Sequence, residues 1–200
     1  MIAVVDYGVG NLFSLTASLE SLGIGAVVTG DKRKIASADK IILPGVGAFG
    51  DAKDLLDKRG LTDFLIDEAR SGKPFLGICL GMQLLHEESS EYGIHKGLGL
   101  IPGKVCSLAG DTRGLKVPAM GWNALKIDRE CPILKYISDG DYVYYVHSYY
   151  VPAGEYTAAH SDYGVAVSGV TWNKNVFGTQ FHPEKSGVKG LKILQAFEEL

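Results

Sequence analysis

Apolar and polar residues follow two rhythms along the first half of the chain. Short, wholly apolar runs alternate with longer stretches in which apolar residues return every three or four positions. The short runs at Ile2–Val5, Ala26–Thr29, 41–43 and 75–78 predict buried parallel strands, because only a strand covered on both faces tolerates so little polarity. The longer stretches predict helices: one from an Asn11 cap to about Leu22, ended by Gly23; one over roughly 52–71, ended by Gly72 and Pro74; and one over 81–88. Strands alternating with helices imply an α/β protein with a mostly parallel sheet and helices on both sides.

Beyond about Gly103 the rhythm changes. Strand-rich segments follow at 104–108, 123–127, 142–150, 156–160, 166–171 and 176–181, which predicts a mixed or antiparallel half. Residues 190–200 close the chain with an amphipathic helix carrying Leu191, Leu194, Ala196 and Phe197, suited to docking on the sheet. No repeat or low-complexity linker interrupts the 200 residues, so one domain over 1–200 is expected.

Composition narrows the function classes. With a net charge of −3 and no basic stripe, the chain is a poor partner for a phosphate backbone. Its first residues lack a cationic leader pattern, and no apolar run nears the ~20 residues of a membrane span, so a cytoplasmic location is expected. Cys79, Cys106 and Cys131 are an odd set without CxxC or zinc spacing, so neither a disulfide framework nor a metal site is expected.

The sharpest chemical feature is Gly77-Ile78-Cys79-Leu80-Gly81, a cysteine at a strand-to-helix turn with glycine two positions to either side. The serine version of this elbow holds a nucleophile on a tight turn, where small flanking residues let strand and helix approach. Amides at the following helix start favour a thiolate and can hold an oxyanion. Taken alone, the pentapeptide fits a small buried hydrophobe equally well. Cys106 and Cys131 have no such setting and read as structural.

A thiol nucleophile needs a base, and there are five histidines. His182 ends a strand at Pro183, with Glu184 two residues on; in an extended segment the two side chains share a side, so the carboxylate can orient the imidazole. The rival is His147, within the aromatic strand 142–150. Gly45, Gly47 and Gly50 follow a buried strand in Leu43-Pro44-Gly45-Val46-Gly47-Ala48-Phe49-Gly50, where an amide could join that of Leu80 in an oxyanion hole. Asp6-Tyr7-Gly8-Val9-Gly10-Asn11 offers only Gly-x-Gly, with Phe13 in place of a third glycine, so dinucleotide binding is not expected.

The segments LPGVGAFG at 43–50, GICLGMQ at 77–83 and FHPEKS at 181–186 resemble those of class I glutamine amidotransferases, flavodoxin-like enzymes with a Cys-His-Glu triad. Within that family, DYGVGN at 6–11, MGWN at 120–123, YYVHSYY at 144–150 and EKSGVKG at 184–190 look like glutaminase subunits that form a heterodimer with a (β/α)8-barrel cyclase of histidine biosynthesis. The resemblance runs the whole length. It implies that Cys79 attacks the glutamine amide, His182 is base and then acid, and Glu184 orients it. It also implies an oxyanion hole from Gly45, Val46 and Leu80, and glutamine held by Gln83, Gly47 and the strand at His147 and Ser148. No cofactor or metal is implied. Asn11, Trp122 and Lys185 would face the cyclase, Trp122 as a hinge contact and Lys185 in a charged pair, and the isolated chain would be nearly inactive. Ala119 departs from the histidine expected before Met120 in many relatives. A glutaminase serving a sugar-amidating or pyridoxal phosphate synthase, or a non-catalytic regulatory subunit, are the alternatives.

Overall fold

A computed structural model describes residues 1–112 and 114–200. In chain order the elements are β1 (Ile2–Val5), α1 (Leu12–Ser21), β2 (Ala26–Thr29), α2 (Lys32–Ser37), β3 (Lys40–Gly45), α3 (Phe49–Lys58), α4 (Thr62–Arg70), β4 (Phe75–Cys79) and α5 (Leu80–Leu85). There follow β5 (Glu88–Ser89), β6 (His95–Lys96), β7 (Lys104–Ser107), β8 (Ala119–Ala124), β9 (Lys126–Ile127), β10 (Tyr142–His147), β11 (Tyr149–Tyr150), β12 (Thr157–Asp162), β13 (Ala166–Asn173), β14 (Val176–Thr179) and α6 (Gly187–Glu198).

The central sheet runs β2-β1-β3-β4-β14-β13-β12-β9. Its β2, β1, β3, β4 and β14 are mutually parallel; β13, β12 and β9 are added antiparallel. Period-two pleating divides the strand side chains between two cores. Ala3, Val5, Ile41 and Leu43 meet Phe49, Ala52, Leu56 and Leu65 of α3 and α4 on one face. Ile2, Val4, Ile42 and Leu76 meet Leu15, Leu19, Ile193, Leu194 and Phe197 of α1 and α6 on the other. The fold is therefore the α/β arrangement expected, with helices on both sides of a mainly parallel sheet.

Several boundaries differ from the sequence reading. The helix expected over 52–71 is two: Gly60, at φ +63°, turns the chain between α3 and α4, and its amide closes on the Asp57 carbonyl. Helix α5 stops at Leu85 because His86 turns extended (ψ 175°) and leads into β5. The segment 123–127 splits between β8, paired with β10, and β9, paired with β12. The strand expected over 142–150 breaks at Ser148, and the one over 176–181 ends at Thr179. Helix α2 was not anticipated, although Asp31 caps it by accepting from the Arg33 amide at 2.8 Å. Asn11 is at the N-cap of α1 but makes no side-chain capping bond.

Candidate active site

Strand order brings the distant chemical residues together. In the parallel ladder Gly45 of β3 lies opposite Cys79 of β4, and Thr179 of β14 lies opposite Ile78. The chain leaving β14 through Gln180, Phe181 and His182 thus emerges beside the elbow, at the carboxyl end of the parallel strands where α/β sheets form their crevices.

Cys79 has φ 54° and ψ −109°, a left-handed backbone that side chains other than glycine seldom adopt. It is held there by close approach. A Cβ on Gly77 would lie 2.6 Å from the Gly81 carbonyl oxygen, and one on Gly81 would lie 1.8 Å from that of Leu43. A Cβ on Gly45 would lie 2.8 Å from the Gly81 nitrogen and from the Tyr7 hydroxyl. Gly45 therefore packs β3 against α5 beneath the site. Tyr7, from the turn after β1, is fully buried and donates to the Pro44 carbonyl at 2.9 Å.

His182 Nδ1 is 2.8 Å from Glu184 Oε1, and both side chains are buried. The pairing does not come from an extended strand, as the sequence reading supposed. His182 is extended, but Pro183–Lys185 form a 3-10 turn that swings the carboxylate back under the ring. Ser186 fixes this turn: its hydroxyl donates to the His182 carbonyl at 2.6 Å and accepts from the Tyr144 amide at 2.9 Å. With Nδ1 occupied, Nε2 is the ring nitrogen left for the chemistry at Cys79, which shares its cavity. Burial alone would lower the pKa of His182, but the bonds and charges of Cys79 and Glu184 outweigh it and raise the value to about 9. Glu184 Oε2 is buried without a hydrogen-bond partner among the described residues. On its far side, a groove of about 370 Å³ opens between α1 and α6, lined by Phe13, Ser14, Ser18 and Gly187.

Cys79 and His182 open into a cavity of about 340 Å³ whose walls include Val46, Gly47, Leu80, Gln83, His147 and Ser148. Gln83 Nε2 donates to the Tyr149 carbonyl at 2.9 Å and to Gln180 Oε1 at 3.0 Å. His147 Nδ1 donates to the Tyr149 carbonyl at 2.9 Å; burial, above all, lowers its pKa to about 4, so the ring is neutral at pH 7. Residues that sequence reasoning missed also line the space. Among them is Glu91, a buried carboxylate that accepts from the Phe49 amide at 2.7 Å. Neither it nor Pro118 belongs to a motif, and only the fold carries them to the cavity.

The three residues expected to face a partner lie elsewhere. Trp122 is 55% exposed, edge-on to Tyr144 at 6.0 Å, and its ring reaches toward Gly187. Lys185 is exposed and Asn11 half-buried. Phe13 (85%), Val188 (70%) and Met120 (65%) are also exposed in these segments.

The family model described as glutamine amidotransferase class-I matches residues 3–199. The chain belongs to the class-I glutamine amidotransferases. The amidotransferase is 48% identical over 206 residues to the imidazole glycerol phosphate synthase subunit HisH of Syntrophotalea carbinolica, covering 100% of both chains. It is 50% identical over 202 residues to the HisH subunit of Geobacillus thermodenitrificans, covering 98% of this chain and 94% of the relative. Among solved structures, a glutamine amidotransferase matches with a TM-score of 0.77 at 18% identity, over 100% of this chain and 98% of the other. PurLQS from Thermotoga maritima matches at 0.74 and 22% identity, over 98% and 96%. At those identities the structures bear on the fold alone.

Proposed function

We propose that this amidotransferase is the glutaminase subunit of an imidazole glycerol phosphate synthase, hydrolysing glutamine to glutamate and ammonia through a cysteinyl thioester on Cys79. The observation that carries the reading is the convergence of a strained cysteine with a buried, carboxylate-bound histidine at one cavity wall. The Cys79 thiolate attacks the side-chain carbonyl carbon of glutamine. His182 Nε2, loaded with the thiol proton, passes it to the departing nitrogen, so the C–N bond breaks and ammonia leaves. The same nitrogen then takes a proton from water as it attacks the thioester, releasing glutamate. Glu184 holds the ring and balances its charge throughout.

The amide of Leu80 and those of Gly45 and Val46 hold the oxyanion, a donor of this kind contributing roughly 3 kcal/mol. Both Nε2 hydrogens of Gln83 are already given to Tyr149 and Gln180, so toward glutamine it offers only its carbonyl oxygen. Gly47, His147 and Ser148 complete the grip, and Glu91 supplies the charge that an α-ammonium group requires.

Asn11, Trp122 and Lys185 mark the face that meets a (β/α)8-barrel cyclase in a heterodimer. There the ammonia attacks a phosphoribulosyl intermediate to give imidazole glycerol phosphate and the aminoimidazole carboxamide nucleotide. The exposed aromatic and aliphatic side chains around Trp122 support this. No helix among the described residues is long and apolar enough to cross a membrane. A reactive thiol alongside two other free cysteines fits the reducing cytoplasm.

The test is glutamate release from glutamine by the chain alone, then with the cyclase and its phosphoribulosyl substrate, with Cys79→Ala as control. Little release alone and a steep rise in the complex is the expected outcome, with the exposed Val46 and Gly47 of the oxyanion loop set by the cyclase. Cys79-dependent release that ignores the cyclase would move the chain to another synthase.

A further inference from the structure

The nucleophile has a second polar neighbour that the triad does not use. Gln180 is fully buried, and its Nε2 lies 3.8 Å from Cys79 Sγ. Its orientation is fixed by donor arithmetic. Gln83 Nε2 has two hydrogens, given to the Tyr149 carbonyl at 2.9 Å and to Gln180 Oε1 at 3.0 Å. Gln180 must therefore present its oxygen to Gln83 and its N–H to the sulfur. Its backbone leaves no slack, because the Gln180 amide donates to the Gly169 carbonyl at 2.9 Å.

A competing acceptor lies on the other side. The Val146 carbonyl is 3.9 Å from Sγ and placed to accept from the protonated thiol. A carbonyl there favours the thiol form, whereas an N–H donor favours the thiolate. Val146 and Tyr149 belong to the same short segment, which also walls the cavity. That segment thus reaches the sulfur twice, directly through Val146 and indirectly through Gln83 and Gln180.

We propose that Gln180 is a positioning residue for the nucleophile, holding the Cys79 thiolate by an N–H donor at the end of a Tyr149–Gln83–Gln180 relay that ties it to the substrate wall. The proposal rests on the assignment of Cys79 as nucleophile. It makes Gln180 act on the ionisation and aim of the sulfur rather than on glutamine affinity.

The test is alkylation of Cys79 by iodoacetamide as a function of pH, with the modified peptide identified by mass to separate it from Cys106 and Cys131. It is run on the intact chain and on Gln180→Glu and Gln180→Leu, beside glutaminase assays of the same variants in the cyclase complex. Gln180→Glu keeps the shape and still accepts from Gln83, but sets an acceptor against the sulfur. Its alkylation midpoint should move up by about one pH unit or more. The alkylation rate at pH 7 should fall on the order of tenfold, and kcat should fall at least as far with KM nearly unchanged. Gln180→Leu should move the midpoint the same way by less. If it fails to fold, Gln83→Glu replaces it: an acid facing Gln180 flips that amide and should raise the midpoint with Gln180 intact. Alkylation profiles of Gln180→Glu that overlay the parent, with only thermal stability changed, would overturn the proposal. Glutaminase activity surviving in Cys79→Ala would instead remove the nucleophile assignment beneath it.

Discussion

Two histidines share one cavity and meet opposite fates. His182 and His147 are both nearly excluded from water, and burial pushes the pKa of each downward. His182 nevertheless rises to about 9, because neighbouring Cys79 and Glu184, which accepts from Nδ1, both favour the charged ring. His147 falls to about 4: burial dominates, its hydrogen bond to the neutral Tyr149 carbonyl offsets little of it, and the charge on His182 pushes it further down. The lesson is that depth of burial does not select a base. A charged partner in contact does, and of these two rings only His182 has one.

The comparison can be broken most severely at His182. His182→Asn should lower glutaminase kcat/KM by ~10⁴-fold, the upper end of what a general acid–base contributes. The same variant should let His147 titrate at higher pH, which its ring resonances would report by NMR. Glu184→Gln should lower kcat/KM by ~10²-fold. It should also pull the His182 titration down from about 9, since the carboxylate no longer favours the charged ring.

A stability measurement separates the two kinds of histidine. His182, raised above its ordinary 6.5, contributes stability that is complete below pH 6.5 and is lost as pH rises through about 9. His147 has the opposite sign. As pH falls from 6.5 toward 4 the unfolded chain takes up a proton that the folded chain refuses, a loss of roughly 3 kcal/mol. His86 shares that behaviour outside the triad: it is buried, lowered to about 4 chiefly by desolvation, and its Nε2 has no hydrogen-bond partner among the described residues. Replacing His86 by Phe should therefore remove about half of the acid sensitivity of these two rings, read from urea unfolding at pH 5 against pH 7. Equal pH dependence in the variant would break the pairing of His86 with His147.

The parallel half was legible because its strands are uninterrupted apolar runs, and the elbow because close approach leaves glycine as the only residue for positions 77 and 81. Less legible was whatever depends on a single turn. Gly60 inside an otherwise continuous amphipathic stretch reads as a tolerated glycine, yet it divides α3 from α4. Ser148 breaks an aromatic strand that its β-formers make look continuous. His182 and Glu184 were paired through the wrong backbone, since their spacing suits both an extended strand and the 3-10 turn that forms. Glu91 and Gln180 were missed for a different reason. One buried carboxylate and one buried amide carry no spacing signal, and only the order of strands brings them to the cavity.

The glycine frame around Cys79 also bears on ancestry. Replacing the cysteine by another side chain leaves the positive-φ strain of this turn as it is, and only glycine would relieve it. Changing Gly77 or Gly81 drives a methyl group into a carbonyl oxygen. A lineage released from the need to hydrolyse glutamine would then lose its nucleophile long before its frame. A descendant bearing Gly77 and Gly81 with another residue between them would be recognisable as a former amidotransferase, kept in shape by packing after its chemistry had gone.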